Sequence, residues 1–160
     1  MIILKIYLHL KAIVEYVFFK LLYGSSFKVG NSVTWRNNFS VMIAKTGKVI
    51  IGDNCFFNNG CSINANKLVC IREGTLFGEN VKIYDHNHRF RDSNKSIKQQ
   101  GFSNGEVIIG KHCWIGSNVV ILKGSKIGDN CVIGAGCIVS GIVESNSLLK
   151  NKAEYITENI

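Results

Sequence analysis

A chain of 160 residues, 46% hydrophobic and 19% charged, is long enough for one domain with a substantial core and too apolar for a disordered one. The net charge of +8 favours anionic partners such as phosphates, acidic glycans or a membrane surface. No nucleic-acid-binding motif accompanies that charge, so nucleic acid is set aside.

Residues 1–23 are the most apolar segment. At about 100° per residue, Lys5, His9, Lys11, Glu15 and Lys20 fall within half the helical circle, which predicts an amphipathic helix with a mostly basic polar side. Charges interrupt it too often for a membrane span, and it lacks the uncharged run and small-residue cleavage site of a signal peptide. Two compatible roles are open: a cap packed over one end of the fold, or attachment to a membrane surface through the basic face.

From Val29 an aliphatic residue recurs at multiples of six, imperfectly at first. Val29-Gly30 and Val41 precede a cleaner run of Ile51-Gly52, Phe57 and Ile63. The frame slips by two residues near Lys67–Cys70 and resumes at Ile71, Phe77-Gly78 and Ile83. Trp35 is a candidate cap for the first turn.

After Ile83 the next inward positions would be Arg89, Lys95 and Gly101, so residues 89–106 are read as a polar excursion loop thrown out from the scaffold. Just before it stands Tyr84-Asp85-His86-Asn87-His88. A histidine is mostly neutral near pH 7, with an unperturbed pKa of about 6.5, and can accept a proton. His86 and His88 are therefore candidate general bases. Asp85 either orients one imidazole or is simply solvated.

The period is clearest from Ile109 to Val143. Ile109, Ile115, Ile121, Ile127, Ile133 and Val139 stand six apart, and Gly110, Gly116, Gly128 and Gly134 follow four of them. Four residues after each aliphatic comes Cys113, Val119, Ser125, Cys131, Cys137 or Val143, all small. Six matches neither the helical period nor one long strand. It suits a coil of three short flat sides, one hexapeptide per side, with glycine rounding the corner. Coils of eighteen residues would stack Ile109 on Ile127, Gly116 on Gly134 and Cys113 on Cys131, at about 4.8 Å per coil. Five of the six cysteines, Cys55, Cys61, Cys113, Cys131 and Cys137, take the small inward slot and read as buried thiols in a reducing cytosol. Cys70 has no assignment. The expected organisation is an all-β, parallel β-helix over 24–147 with loop 89–106, a helix over 1–23, and a cap or tail over 148–160.

The runs YDHNHRF and IIGKHCWIGSNVVILKGSKIGDNCVIGAGCIVSG, separated by the excursion, resemble the hexapeptide-repeat O-acetyltransferases with a left-handed β-helix. These include the galactoside, maltose, xenobiotic and surface-polysaccharide acetyltransferases. The resemblance implies transfer of acetyl from acetyl-CoA to a sugar hydroxyl, with no metal, in a cytoplasmic homotrimer whose sites lie between subunits. It implies His88 as general base, with His86 and Asp85 beside it. Trp114, Ser117, Ala135, Ser140 and Gly141 fall on the family's cofactor-binding positions, and Lys150 and Lys152 stand where its C-terminal phosphate contact lies. A relative would carry threonine-lysine where Ser140-Gly141 stand. The short helix in place of a long helical domain sets serine acetyltransferase aside and suggests work near the inner membrane face. Two further readings are a γ-type carbonic anhydrase, for which His86, His88 and His112 have the number but not the spacing, and a non-catalytic trimeric scaffold.

Overall fold

The computed structural model describes residues 2–152 and 158, with side chains from Ile6 onward. Helix α1 (Ile2–Tyr23) and a 3₁₀ turn (Gly24–Ser26) precede a left-handed parallel β-helix of six coils. The first coil holds β1 (Phe27–Val29), β2 (Thr34–Trp35) and β3 (Ser40–Ile43), and the second β4 (Val49–Ile51), β5 (Phe56–Phe57) and β6 (Ser62–Ala65). The third holds β7 (Val69–Ile71), β8 (Leu76–Phe77) and β9 (Lys82–Tyr84). There the chain leaves as an antiparallel ribbon, β10 (His86–His88) and β11 (Phe102–Asn104), with a 3₁₀ turn at Ile97–Gln100 between them. The fourth coil is β12 (Val107–Ile109), β13 (Trp114–Ile115) and β14 (Val120–Ile121). The fifth is β15 (Lys126–Ile127), β16 (Val132–Ile133) and β17 (Ile138–Val139), and β18 (Ile142–Val143) and β19 (Leu148–Leu149) make the partial sixth.

Equivalent strands pair in parallel as three sheets: A (β1-β4-β7-β12-β15-β18), B (β2-β5-β8-β13-β16-β19) and C (β3-β6-β9-β14-β17). The expected stacking holds, with Ile109 on Ile127 and Ile115 on Ile133. The inward aliphatics Ile109, Ile115, Ile121 and Ile133 are fully buried. Toward α1 the core turns aromatic. Phe77 stacks on Phe57 at 4.4 Å, Phe57 meets Phe39 at 5.0 Å, and Trp35 stacks on Phe39 at 4.8 Å. Trp35 does close the first coil, donating its Nε1–H to Glu15 of α1 at 2.7 Å.

Three expectations need correction. The glycine after each aliphatic does not supply the left-handed backbone; that falls two residues later, at Asn54, His112, Asn118, Asn130 and Gly136. Gly116 is needed instead for close approach, since a Cβ there would sit 2.6 Å from the Ala135 nitrogen of the next coil. Val143 does not fill a small slot: the Ser140-Gly141 corner is two residues short, so Val143 pairs with Ile127 in sheet A. The solenoid also runs past residue 147, because Leu148 and Leu149 pair with Val132 and Ile133. Of the tail, 153–157 and 159–160 lie outside the described residues.

Helix α1 also sits differently from the amphipathic expectation. Ala12, Tyr16, Phe19 and Tyr23 pack on the solenoid, with Phe19 against Phe27 at 5.6 Å. The polar residues flank this contact: Lys11 pairs with Glu15 at 2.8 Å, and Lys20 donates to the Phe27 carbonyl at 3.2 Å. The outward side is apolar rather than basic, carrying Leu10, Val14, Val17 and Leu21. Among the described residues no helix is long and apolar enough to cross a membrane.

The inward cysteines are free thiols, and Cys55, Cys61, Cys113 and Cys131 each donate to a corner carbonyl of the next coil. Cys70 points outward from sheet A, between Ile50 and Ile108. Burial raises the pKa of Cys55, Cys61 and Cys113, so they stay protonated at neutral pH. In the native protein at pH 7.5, a disulfide reagent should titrate Cys70 first and the five inward thiols at least about tenfold more slowly. All six should react at similar rates in denaturant.

Candidate active site

The site is built where sheet C hands the chain back to sheet A. At this corner the solenoid carries extra residues, Asn66-Lys67-Leu68, which account for the slip in the sixes. Their backbone N–H groups converge on one carboxylate. Asp85 Oδ1 accepts from Asn66 at 2.7 Å, and Oδ2 accepts from Lys67 at 2.6 Å and Leu68 at 2.8 Å. Asp85 is fully buried, and a buried carboxylate is tolerated when donors surround it.

The fourth donor is His86, whose Nδ1 lies 2.9 Å from Asp85 Oδ1. A carboxylate only accepts, so Nδ1 is the nitrogen that donates to Asp85, and Nε2 is turned away from it. Asp85 is thus buried rather than solvated, with one oxygen against an imidazole nitrogen. The Asp85 carbonyl also accepts from Gly105 N–H at 2.7 Å, fastening the return of the excursion to its departure.

His88 stands opposite Phe102 on the ribbon, and the two rings lie 4.5 Å apart. His86 meets the same ring edge-on at 5.0 Å, so one phenyl group spaces both imidazoles. His88 is exposed and lines a cleft of about 610 Å³, together with Arg89, Arg91, Lys95, Ser103 and Lys123. Lys123 holds the ribbon from the solenoid side, donating to Ser103 Oγ at 2.5 Å. The cleft is basic, with Asp92 as its acidic lining residue, paired to Lys95 at 3.3 Å.

The remaining sequence-derived residues fall on two edges of the prism. Ser140 and Gly141 form the C-to-A corner, below the excursion and on its edge. Ser117 stacks on Ala135 along the B-to-C corner, and Lys150 reaches the same corner under Gly134; Gly136 N–H donates to Ser117 O and Gly134 N–H to Leu149 O. Trp114 points outward from sheet B beside that corner, between Leu76 and Val132, and is 59% exposed. One side of about six residues, at about 3.3 Å each, separates the two edges by close to 20 Å. Within one chain the histidines and the Ser117–Ala135 corner are not neighbours.

At two turns of the B-to-C corner the first residue donates its N–H to a side chain of the next coil. Asn37 donates to Asn59 Oδ1 at 3.2 Å, and Glu79 to Ser117 Oγ at 3.1 Å. Below Ser117 that slot holds Ala135, which offers no side-chain acceptor, and below Ala135 it holds Asn151, whose amide donates to the Gly136 carbonyl at 2.8 Å. Among the described residues no protein acceptor meets the N–H of Ser117 or Ala135, leaving two amides free for a ligand.

His112 does not join His86 and His88. It turns the A-to-B corner with a φ of +53°, a position held in the other coils by Ser, Asn or Gly. Among the described residues no three metal-ligating side chains cluster.

Residues 106–141 match the family model described as bacterial transferase hexapeptide, six repeats. That stretch carries the hexapeptide repeat on which the family is defined. A putative lipopolysaccharide biosynthesis O-acetyl transferase of Escherichia coli is 32% identical over 110 residues, 64% of this chain and 56% of the relative. An acetyltransferase structure from Vibrio cholerae matches with a TM-score of 0.72 at 25% identity, covering 86% of this hexapeptide protein and 74% of that chain. A galactoside acetyltransferase solved with coenzyme A matches with a TM-score of 0.54 at 26% identity, covering 81% and 63%. The chain spans about half the length of the curated relatives it matches.

Replacing Asp85 by Asn leaves three converging N–H groups with a single oxygen. Asp85→Asn should lower unfolding stability by about 3 kcal/mol in urea titration, with an unchanged circular dichroism spectrum at zero denaturant.

Proposed function

We propose that this protein transfers an acetyl group from acetyl-CoA to a hydroxyl of a sugar in surface-glycan synthesis. The observation that carries the reading is the exposed His88 beside a basic cleft, on a ribbon fastened by the buried Asp85. The similarity to a lipopolysaccharide O-acetyl transferase and to a galactoside acetyltransferase holding coenzyme A supports the donor and the acceptor class.

His88 is the general base in this reading. Its imidazole takes the proton of the acceptor hydroxyl as that oxygen attacks the thioester carbonyl. The tetrahedral intermediate collapses, the carbon–sulfur bond breaks, and the proton passes from the imidazolium to the departing thiolate. No acyl-enzyme forms. His86, held by Asp85 with Nε2 unprotonated, accepts a hydrogen bond from the acceptor sugar and positions it. The free amides of Ser117 and Ala135 receive the pantetheine carbonyls or the developing oxyanion, and Trp114 shields them. Ser140 and Gly141 contact the cofactor through backbone only, and Lys150 and Lys152 serve its phosphates.

The separation of the two edges supports a site shared between copies. The histidine edge of one chain would face the Ser117–Ala135 edge of another, and repeated around an axis this closes a homotrimer. No metal takes part in these steps. The reading places the enzyme in the cytoplasm.

His88→Ala should lower kcat with acetyl-CoA and a glycan acceptor by about 10²- to 10⁴-fold, and His86→Ala should chiefly raise the acceptor KM. A His86→Ala variant that loses kcat while His88→Ala keeps it would exchange the two roles. Co-assembly of His88→Ala with Ala135→Trp, each inactive alone, should restore about a quarter of wild-type activity, because one site in four draws both intact edges. No restoration would place each site within one chain.

A further inference from the structure

Helix α1 presents an outward face that the solenoid does not use. Ile6, Leu10, Val14, Val17, Phe18 and Leu21 form a continuous stripe at three- and four-residue spacing, and Leu21 is 82% exposed. Solvent does not reward such a stripe, and singly scattered surface apolar residues do not account for it. Basic residues mark both borders, with Lys11 on one side and Lys20 on the other. Glu15 is the single acid of the helix, and it is engaged with Lys11 and Trp35. The charge of the capped end is equally one-sided. Residues 1–52 carry seven lysines and arginines against one acid, +6 of the chain's +8.

We propose that α1 docks this protein onto an anionic phospholipid surface, lying in the plane of the interface with its apolar stripe among the acyl chains. The charge decides the occupant. A second copy placed face to face would bring two ends of +6 together, whereas anionic headgroups are attracted by that net charge. The helix lies in the bilayer surface rather than across it, in keeping with its length and apolarity. Its packing on β1 and β2 makes the docked end the first coil, so the later coils stack away from the lipid. The ribbon bearing His86 and His88 leaves the third coil, two steps of about 4.8 Å above the first. The catalytic cleft thus stands about 10 Å up the axis, within reach of the first sugars of a lipid-linked glycan. That last consequence rests on the acetyl-transfer reading; the docking does not.

Co-sedimentation of the full chain with vesicles tests the proposal. Binding to phosphatidylglycerol–phosphatidylethanolamine vesicles should exceed binding to pure phosphatidylcholine vesicles by at least about tenfold and weaken with added salt. Replacing Val14, Val17 and Leu21 together by Gln should lower vesicle binding by at least about tenfold. The same variant should keep acetyl transfer to a soluble acceptor and the wild-type circular dichroism spectrum. Wild-type protein that stays in the supernatant with anionic vesicles, or a triple variant that sediments like wild type, would overturn the docking. So would a lipid-free assembly of the wild type that the triple variant dissolves, because a second copy would then cover the stripe. Vesicle binding without acetyl transfer to any glycan would leave the docking standing and remove the catalytic reading instead.

Discussion

One buried carboxylate lets this solenoid be interrupted without being disordered. Asp85 receives three amide N–H groups and an imidazole N–H, and its own carbonyl receives a fifth donor from the far end of the excursion. A charge without solvent is costly unless such donors surround it, so the group holds each of them in place as firmly as they hold it. The frame survives the interruption: Ile109 of the fourth coil lies on Ile71 of the third, although thirty-eight residues separate them. The excursion therefore adds a ribbon with two histidines to a rigid edge and leaves the register of every later coil unchanged.

The coils differ in size, and the side chains follow. Twenty-two residues separate Phe27 from its partner Val49, twenty separate Ile51 from Ile71, eighteen separate Ile109 from Ile127, and sixteen separate Ile127 from Val143. The aromatic residues lie in the wide early coils, and the narrow later ones are filled by Ile, Val and Cys. Each coil mainly contacts its two neighbours, so local fit at each step matters more than any single long-range contact.

Counting in sixes made much of this readable. Ile109 to Val139 announce their own stacking, because an inward aliphatic at every sixth residue leaves no other regular winding. What the count could not show is where a corner gains or loses residues. The short corner at Ser140-Gly141 moves Val143 from one slot to another, and the extra residues at Asn66–Leu68 are stable only because an aspartate seventeen or more residues away closes on them. The role of Asp85 was undecidable for the same reason: its partners are neighbours in space and not in sequence. Helix α1 misled through Glu15, which reads as one member of a solvated polar face yet accepts a hydrogen bond from the Trp35 indole N–H, turning that face sideways. The grouping of His86 and His88 was legible from their place beside the break. Their separation from Ser117 and Ala135 needed the assignment of corners to edges.

The aromatic plug and the helix above it also govern how this molecule can grow. A bare first coil would present open strands to any other coil of similar width, an invitation to head-to-tail stacking into filaments. With α1 seated on β1 and β2 and Phe19 set among Phe27, Trp35 and Phe39, that end accepts no further rung. That leaves the flanks of the prism for association, where the proposed homotrimer would close into a ring of fixed number rather than a chain of any length.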